Sequence, residues 1–165
     1  MNTRLTKMVS DAGGRFLDAN ERQELLGWAA AVPERVRAAL AMETAEADIL
    51  KATVEEMKRR YPNFGRYHEQ AWAKLYRDLQ LVYRQSAHAM VMDDLSLLED
   101  NLLYWLRSML AAVNVTPAFV RDSYEQLRAN AQRSLDSTVF GAVESCLNRA
   151  VEVLVDFAEP AAAAV

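Results

Sequence analysis

The sequence predicts an all-α fold, and three observations carry that prediction. Apolar residues recur three or four apart along nearly the whole chain, the spacing of a buried helix face. Only five Gly and four Pro occur in 165 residues, so helix breakers are few. Ala, Leu, Glu and Arg, which favour helix, are abundant. An apolar content of 52% in a chain of this length suits one core, so residues 1–165 are read as a single domain.

A short amphipathic segment spans residues 2–10, with Leu5 and Met8/Val9 on one side and Gly13-Gly14 as punctuation. It is too short to be stable alone and must pack on its own domain or on a partner subunit. Arg15, Phe16 and Leu17 follow, and Asp18 or Asn20 can cap the next helix. That helix carries Leu25, Trp28, Val32, Val36 and Leu40, with Pro33 predicting a kink or break near residue 32. Thr44 is read as the start of a further helix with Ile49/Leu50, Val54, Met57 and Tyr61 on its face, ended by Pro62 and Gly65.

The longest clear stripe is Trp72, Leu75, Leu79, Val82, Ser86 and Met90, within a helix from Trp72 to Asp94. Asp93-Asp94 marks a turn with Ser96 as a candidate cap, then Leu97, Leu98, Leu102, Trp105, Leu106 and Leu110 recur at helical spacing. Tyr104 and Trp105 are adjacent, so one core cannot take both; that points to an oligomeric interface. Thr116-Pro117 reads as cap and first turn of a helix through Val120, Tyr124 and Leu127. The last helix buries Val139, Val143, Cys146, Ala150, Leu154 and Phe157, and residues 158–165 read as a disordered tail. About seven helices of unequal length favour a globin-like packing over a four-helix bundle.

Composition bounds the function. A net charge of −4 with scattered Lys and Arg argues against nucleic-acid binding. One cysteine excludes an internal disulfide framework and a thiolate zinc site. No apolar run is long enough for a membrane span, and the N-terminus lacks a signal-peptide core, so a cytoplasmic location is expected. No metalloprotease, phosphate-loop or nucleophile-elbow motif occurs, so no enzyme is predicted.

The polar residues concentrate on the central helix: Lys74, Arg77, Asp78, Tyr83, Arg84 and His88. Arg77 and Asp78 are adjacent and diverge by about 100°, so they cannot bury alike. Lys74, Arg77 and Arg84 could hold carboxylates, since an arginine fork matches a propionate. Trp72, Tyr76, Tyr83 and Tyr67 offer ring surfaces to a flat ligand, with core packing an equal reading for Trp72. His88 is open between haem or metal ligation, a pocket role and an ordinary hydrogen bond, while His68 reads as surface. Cys146, on an apolar stripe, reads as a buried inert thiol, and the Asp93/Asp94 and Glu99/Asp100 pairs read as caps.

Four stretches carry a resemblance. The run Leu5-Thr6, Val9-Ser10 and Gly14-Arg15-Phe16-Leu17 resembles the N-terminal signature of the phycobiliproteins, the bilin-carrying light-harvesting subunits. Lys74-Leu75-Tyr76-Arg77-Asp78 with Tyr83-Arg84 resembles their chromophore-attachment helix. Asp94-Leu95-Ser96-Leu97-Leu98-Glu99 and Leu110 through Val113-Asn114-Val115-Thr116-Pro117 are similar to the next helix and its end. The similarity runs from residue 2 to about 157.

The resemblance implies a globin-like core preceded by a short helical extension, residues 2–17, that pairs subunits as a homodimer or heterodimer through Leu5, Met8, Asp11 and Phe16. Asp11 stands where a family aspartate bridges to the partner. Arg77 stands where an arginine pairs a bilin propionate, and Asp78 where a carboxylate accepts the inner pyrrole N–H groups. The family attaches its bilin two residues before that arginine through a cysteine, where this chain has Leu75, which forms no thioether. The connection from Pro62 to Leu75, which in the family walls the pocket, is shorter here. The resemblance therefore implies a member that holds phycocyanobilin or biliverdin non-covalently, as in globins associated with bilin biosynthesis, with an enzyme of bilin metabolism as a further partner. Only four of the nineteen basic residues are Lys, a composition that fits a GC-rich bacterium. The alternatives are a pigmentless structural subunit and a haem globin or sensor.

Overall fold

The computed structural model describes residues 2–66 and 68–160; Tyr67 as a ring surface and residues 161–165 of the expected tail lie outside the described residues. Among the described residues there are helices and turns and no strand. In order they are α1 (Thr3–Asp11), α2 (Ala19–Arg60), a 3₁₀ turn (Phe64–Arg66), α3 (Ala71–Met92), α4 (Leu95–Leu98), a π turn (Glu99–Leu103), α5 (Tyr104–Ala112), α6 (Pro117–Ser134) and α7 (Ser137–Leu154). The all-α, globin-like expectation holds.

Helix α3 lies at the centre, packed on α2 and α7, with α6 closing against both of those. Its stripe Leu75, Leu79, Val82, Ser86 and Met90 is buried as the spacing predicts, joined by Tyr83 and Ala89. The opposing faces are Ile49, Leu50, Val54 and Met57 of α2, and Val143, Cys146, Ala150 and Leu154 of α7. Phe157 lies beyond the end of α7 and is half-buried. Thr116 caps α6 by accepting from the Phe119 amide, with Pro117 in the first turn. Asp94, not Ser96, caps α4, and both Tyr104 and Trp105 are exposed.

Three expectations need correction. Residues 19–60 form one 42-residue helix with no break at Pro33. A proline inside a helix costs about 3 kcal/mol through a lost backbone bond and a ring clash, but Pro33 and Ala29, whose carbonyl loses its partner, are both exposed, so water can replace that bond. The helix also has strong ends. Asp18 and Glu21 form a reciprocal capping box, and both Arg15 Nη atoms donate to Glu21 at 2.7 Å, which holds its carboxyl down to about 2. Thr44 therefore starts nothing; mid-helix, its hydroxyl donates to the Leu40 carbonyl at 3.0 Å.

The second correction concerns the first half of α2, where Leu25, Val36 and Leu40 are exposed although the spacing placed them in a core. The third concerns α1. Leu5, expected on a partner-facing surface, is 1% exposed and packed within its own chain, and Met8 is half-buried. The reason lies one turn earlier. Asn2 caps α1 through the Leu5 amide and donates to the carbonyls of Met92 at 3.0 Å and Asp93 at 2.6 Å, pulling the first turn onto the end of α3. Asp94 accepts from the Thr3 amide at 2.5 Å. Phe16, at 96% exposure, does project outward.

Asn2→Ala removes these bonds at a buried site and should cost about 1–3 kcal/mol in denaturant unfolding. It should also speed amide hydrogen exchange across residues 3–11 before that of α3. Unchanged exchange in α1 would show that Leu5, the Thr3–Asp94 bond and the Arg4–Glu24 pair hold it without Asn2.

Candidate functional site

The outer edge of α3 carries the pair singled out by the sequence. Arg77 is exposed and Asp78 half-buried, so they diverge as expected, yet the arginine folds back: Nε and Nη2 donate to Asp78 Oδ1 at 3.2 and 3.0 Å. Burial raises the Asp78 carboxyl above its usual value despite Arg77 and Lys74 pulling it down. Its charge is felt by Tyr124 of α6, a hydroxyl with no partner among the described residues, which burial chiefly and Asp78 secondarily push upward.

The connection before α3 is filled by aromatic side chains. Phe64 stacks on Phe119 of α6 with centroids 4.2 Å apart and meets Trp72 edge-on at 4.9 Å, while Tyr61 meets Phe119 at 5.0 Å. A Cβ on Gly65 would stand 2.7 Å from Trp72 Nε1, so a glycine lets this turn close over the indole. Trp72 thus packs against the core. Lys74, exposed, lies 3.2 Å from His68 Nε2. Neither of the two clefts described below reaches Arg77, Asp78, Lys74 or Trp72.

The structure gathers the other three residues, Tyr83, Arg84 and His88, along a cleft of about 630 Å³ between α2 and α3. One wall repeats at 84, 88 and 91, the other at 36, 40 and 43, so each wall is one helix face. Its apolar lining includes Val36, Ala39, Leu40, Ala87 and Val91. The Tyr83 hydroxyl is spent on the Met42 carbonyl at 3.1 Å, locking α2 to α3 at the buried edge. Arg84 pairs with Glu46 through Nε and Nη2, both at 2.7 Å, and Gln80 donates to the same carboxylate at 2.7 Å. Arg84 chiefly, helped by Gln80, lowers the Glu46 pKa. His88 is exposed at the rim, a poor setting for a haem iron ligand, which normally sits in an enclosed apolar pocket.

A second cleft of about 630 Å³ lies between the N-terminal segment, the α3–α4 corner and α7, lined by Asn2, Arg4, Arg35, Asp93, Ser145 and Cys146 among others. Cys146 is buried, and burial pushes its thiol up to about 11, so it is not a nucleophile at neutral pH. Among the described residues no cluster of three or more His, Cys, Asp or Glu could hold a metal, and no helix is long and apolar enough to cross a membrane.

Sequence reasoning missed Glu43, Glu46, Val36 and Leu40 as cleft residues. The last two were read as core because periodicity marks a face without saying what covers it. The 84–88–91 repeat set against 36–40–43 is the signal that could have paired the walls.

Two comparisons bear on this arrangement. The family described as Phycobilisome protein matches residues 8–154. The allophycocyanin beta chain of Anabaena cylindrica is 29% identical over 123 residues, covering 70% of this chain and 75% of that one.

The raised Asp78 carboxyl has a sign that can be checked. A folded-state pKa above the unfolded one favours the folded chain below the ordinary carboxylate value, about 4, and that advantage is lost as pH rises through the raised value. Asp78→Asn gives up an exposed ion pair of no more than about 1 kcal/mol and removes the burial cost. The variant should be at least as stable as wild type at pH 7, with its relative standing falling as the pH is lowered toward 4. A loss beyond about 2 kcal/mol at pH 7 would place the Arg77 bond above the burial cost.

Proposed function

The chain belongs to the phycobilisome protein family, and from that premise we propose that it is a non-enzymatic, globin-like protein that binds a linear tetrapyrrole, phycocyanobilin or biliverdin, without covalent attachment. It acts in the cytoplasm as a carrier or accessory in bilin metabolism, handing pigment to or from an enzyme of that chemistry. One observation carries the non-covalent part. Leu75, where the resemblance places the attachment cysteine, is 8% exposed and packed in the core, and the chain's one thiol is buried on α7. No thiolate is available to form a thioether.

The bilin supplies a conjugated chromophore with propionates and pyrrole N–H groups. By the resemblance, Arg77 would turn from Asp78 to a propionate and free that carboxylate for the pyrrole N–H groups, with Lys74 and Arg84 as further exposed cations on the same helix. Titrating the purified chain with biliverdin should shift and sharpen the red absorption band. Acid denaturation should then release all of the pigment from the polypeptide. Pigment that stays with the denatured chain overturns non-covalent binding, and no spectral change with a folded protein overturns binding.

A pigmentless structural subunit is the second reading, and a specific observation favours it. Phe16, Leu25, Leu26, Val36 and Leu40 are all exposed along the extension and the first half of α2, an apolar surface that suits a partner subunit. Asp11, exposed, is paired with Lys7 at 2.6 Å in the free chain and would have to leave it to bridge a partner. Phe16→Asp combined with Leu26→Glu should convert a dimer to a folded monomer in light scattering at micromolar concentration. A monomeric wild-type chain defeats this reading.

A further inference from the structure

We propose that Tyr124 of α6 is a positioning residue of the tetrapyrrole site: when Arg77 turns to a propionate, the buried Tyr124 hydroxyl takes its place on Asp78 and holds that carboxylate toward the pyrrole N–H groups. This rests on the chain binding a tetrapyrrole at Arg77 and Asp78. The free chain holds a buried donor without an acceptor and, within its electrostatic reach, a carboxylate oxygen without a donor. Tyr124 is 3% exposed, and its hydroxyl has no hydrogen-bond partner among the described residues. A buried hydroxyl normally finds one, because burial strips away the water that would otherwise serve. Asp78 accepts both Arg77 bonds on Oδ1, which leaves Oδ2 with none among the described residues.

The aromatic turn before α3 brings the two residues together. Phe64 meets Trp72 at the start of α3 at 4.9 Å and stacks on Phe119 at the start of α6 at 4.2 Å, which ties the two helix starts. About a turn and a half along each helix from that tie stand Asp78 and Tyr124. Burial chiefly, and the Asp78 charge secondarily, push the phenol up, so it remains a donor across the ordinary pH range. Arg77 is exposed, and its bond to Asp78 is a surface pair that a propionate can displace. Burial raises the Asp78 carboxyl, and Arg77 is the main group holding it down. Once Arg77 has left, a half-buried carboxyl without a donor would take up a proton and accept less well. A phenol donor at Oδ2 keeps it ionised and leaves Oδ1 for the ligand.

A double-mutant cycle on the full chain, Tyr124→Phe with Asp78→Asn, tests the assignment by biliverdin titration read in absorbance. Tyr124→Phe deletes an oxygen that has no partner in the free chain. That chain should keep its far-ultraviolet circular dichroism and unfold at the wild-type denaturant concentration or a higher one. Biliverdin affinity should fall by about tenfold, and the red band of the bound pigment at saturation should lose intensity as the carboxylate loosens from the pyrrole N–H groups. In the Asp78→Asn background the same change should cost less than about twofold, because the hydroxyl acts through the carboxylate. Wild-type affinity and band in Tyr124→Phe overturn the proposal while leaving tetrapyrrole binding intact, as does an equal loss in both backgrounds. A lower unfolding midpoint in the free Tyr124→Phe chain also overturns it, since the hydroxyl is then already bonded there. Absence of binding in wild type removes both the role of Tyr124 and tetrapyrrole binding itself.

Discussion

The fold depends on how the C-terminal end of α3 is closed. The last carbonyls of a helix have no partner within it and must find one elsewhere or remain in water. Here three side chains remote in sequence supply the donors. Arg35 reaches the Val91 carbonyl at 3.1 Å, the Trp28 indole reaches Met92 at 3.1 Å, and the Asn2 amide takes Met92 and Asp93. Asp93 adopts a left-handed conformation with φ of 54° and turns the chain into α4, and its carboxylate lies 3.6 Å from Arg35. Arg35 also lies over the Trp28 ring at 5.7 Å. One helix end therefore fastens the extension, the first half of α2 and the central helix together. Without it α1 would keep Leu5, the Thr3–Asp94 bond and the exposed Arg4–Glu24 pair, and the first half of α2, so lightly buried, would be a projecting rod.

The same closure sets what the surface can do. Docking Trp28 and Arg35 on α3 leaves the Leu25, Val36 and Leu40 side outward and brings Val36 and Leu40 alongside Ala87, His88 and Val91. Tyr83 on Met42 and Arg84 on Glu46 then hold the two helices in register further along. Exposed aliphatics beside Arg84 and His88 are thus a consequence of how α2 is tied. They are stable in the free chain because only part of α2 is needed for the core.

Much of the architecture was legible because it follows from local chemistry and one periodicity. The α3 stripe, the Thr116-Pro117 start of α6 and the Asp18 cap of α2 each depend on residues within a turn or two of one another. The failures share a different cause. Leu5 and Leu40 have the same apolar character, yet one is buried and the other exposed, because Asn2 finds carbonyls about ninety residues away and nothing comparable covers Leu40. Pro33 was read as a kink or break because the sequence does not reveal that Ala29, whose carbonyl it leaves unpaired, is exposed to water. The Arg84–Glu46 bond joins residues 38 apart across two helices, and no local pattern announces it.

The substitution at position 75 connects these points. A thioether makes a pigment permanent and removes most of the demand on non-covalent affinity. Leu75 takes away that option and adds its own side chain to the core beneath α3. A tetrapyrrole on this chain must then be retained by burial against apolar side chains and by a few charge-assisted bonds. Retention of that kind is reversible.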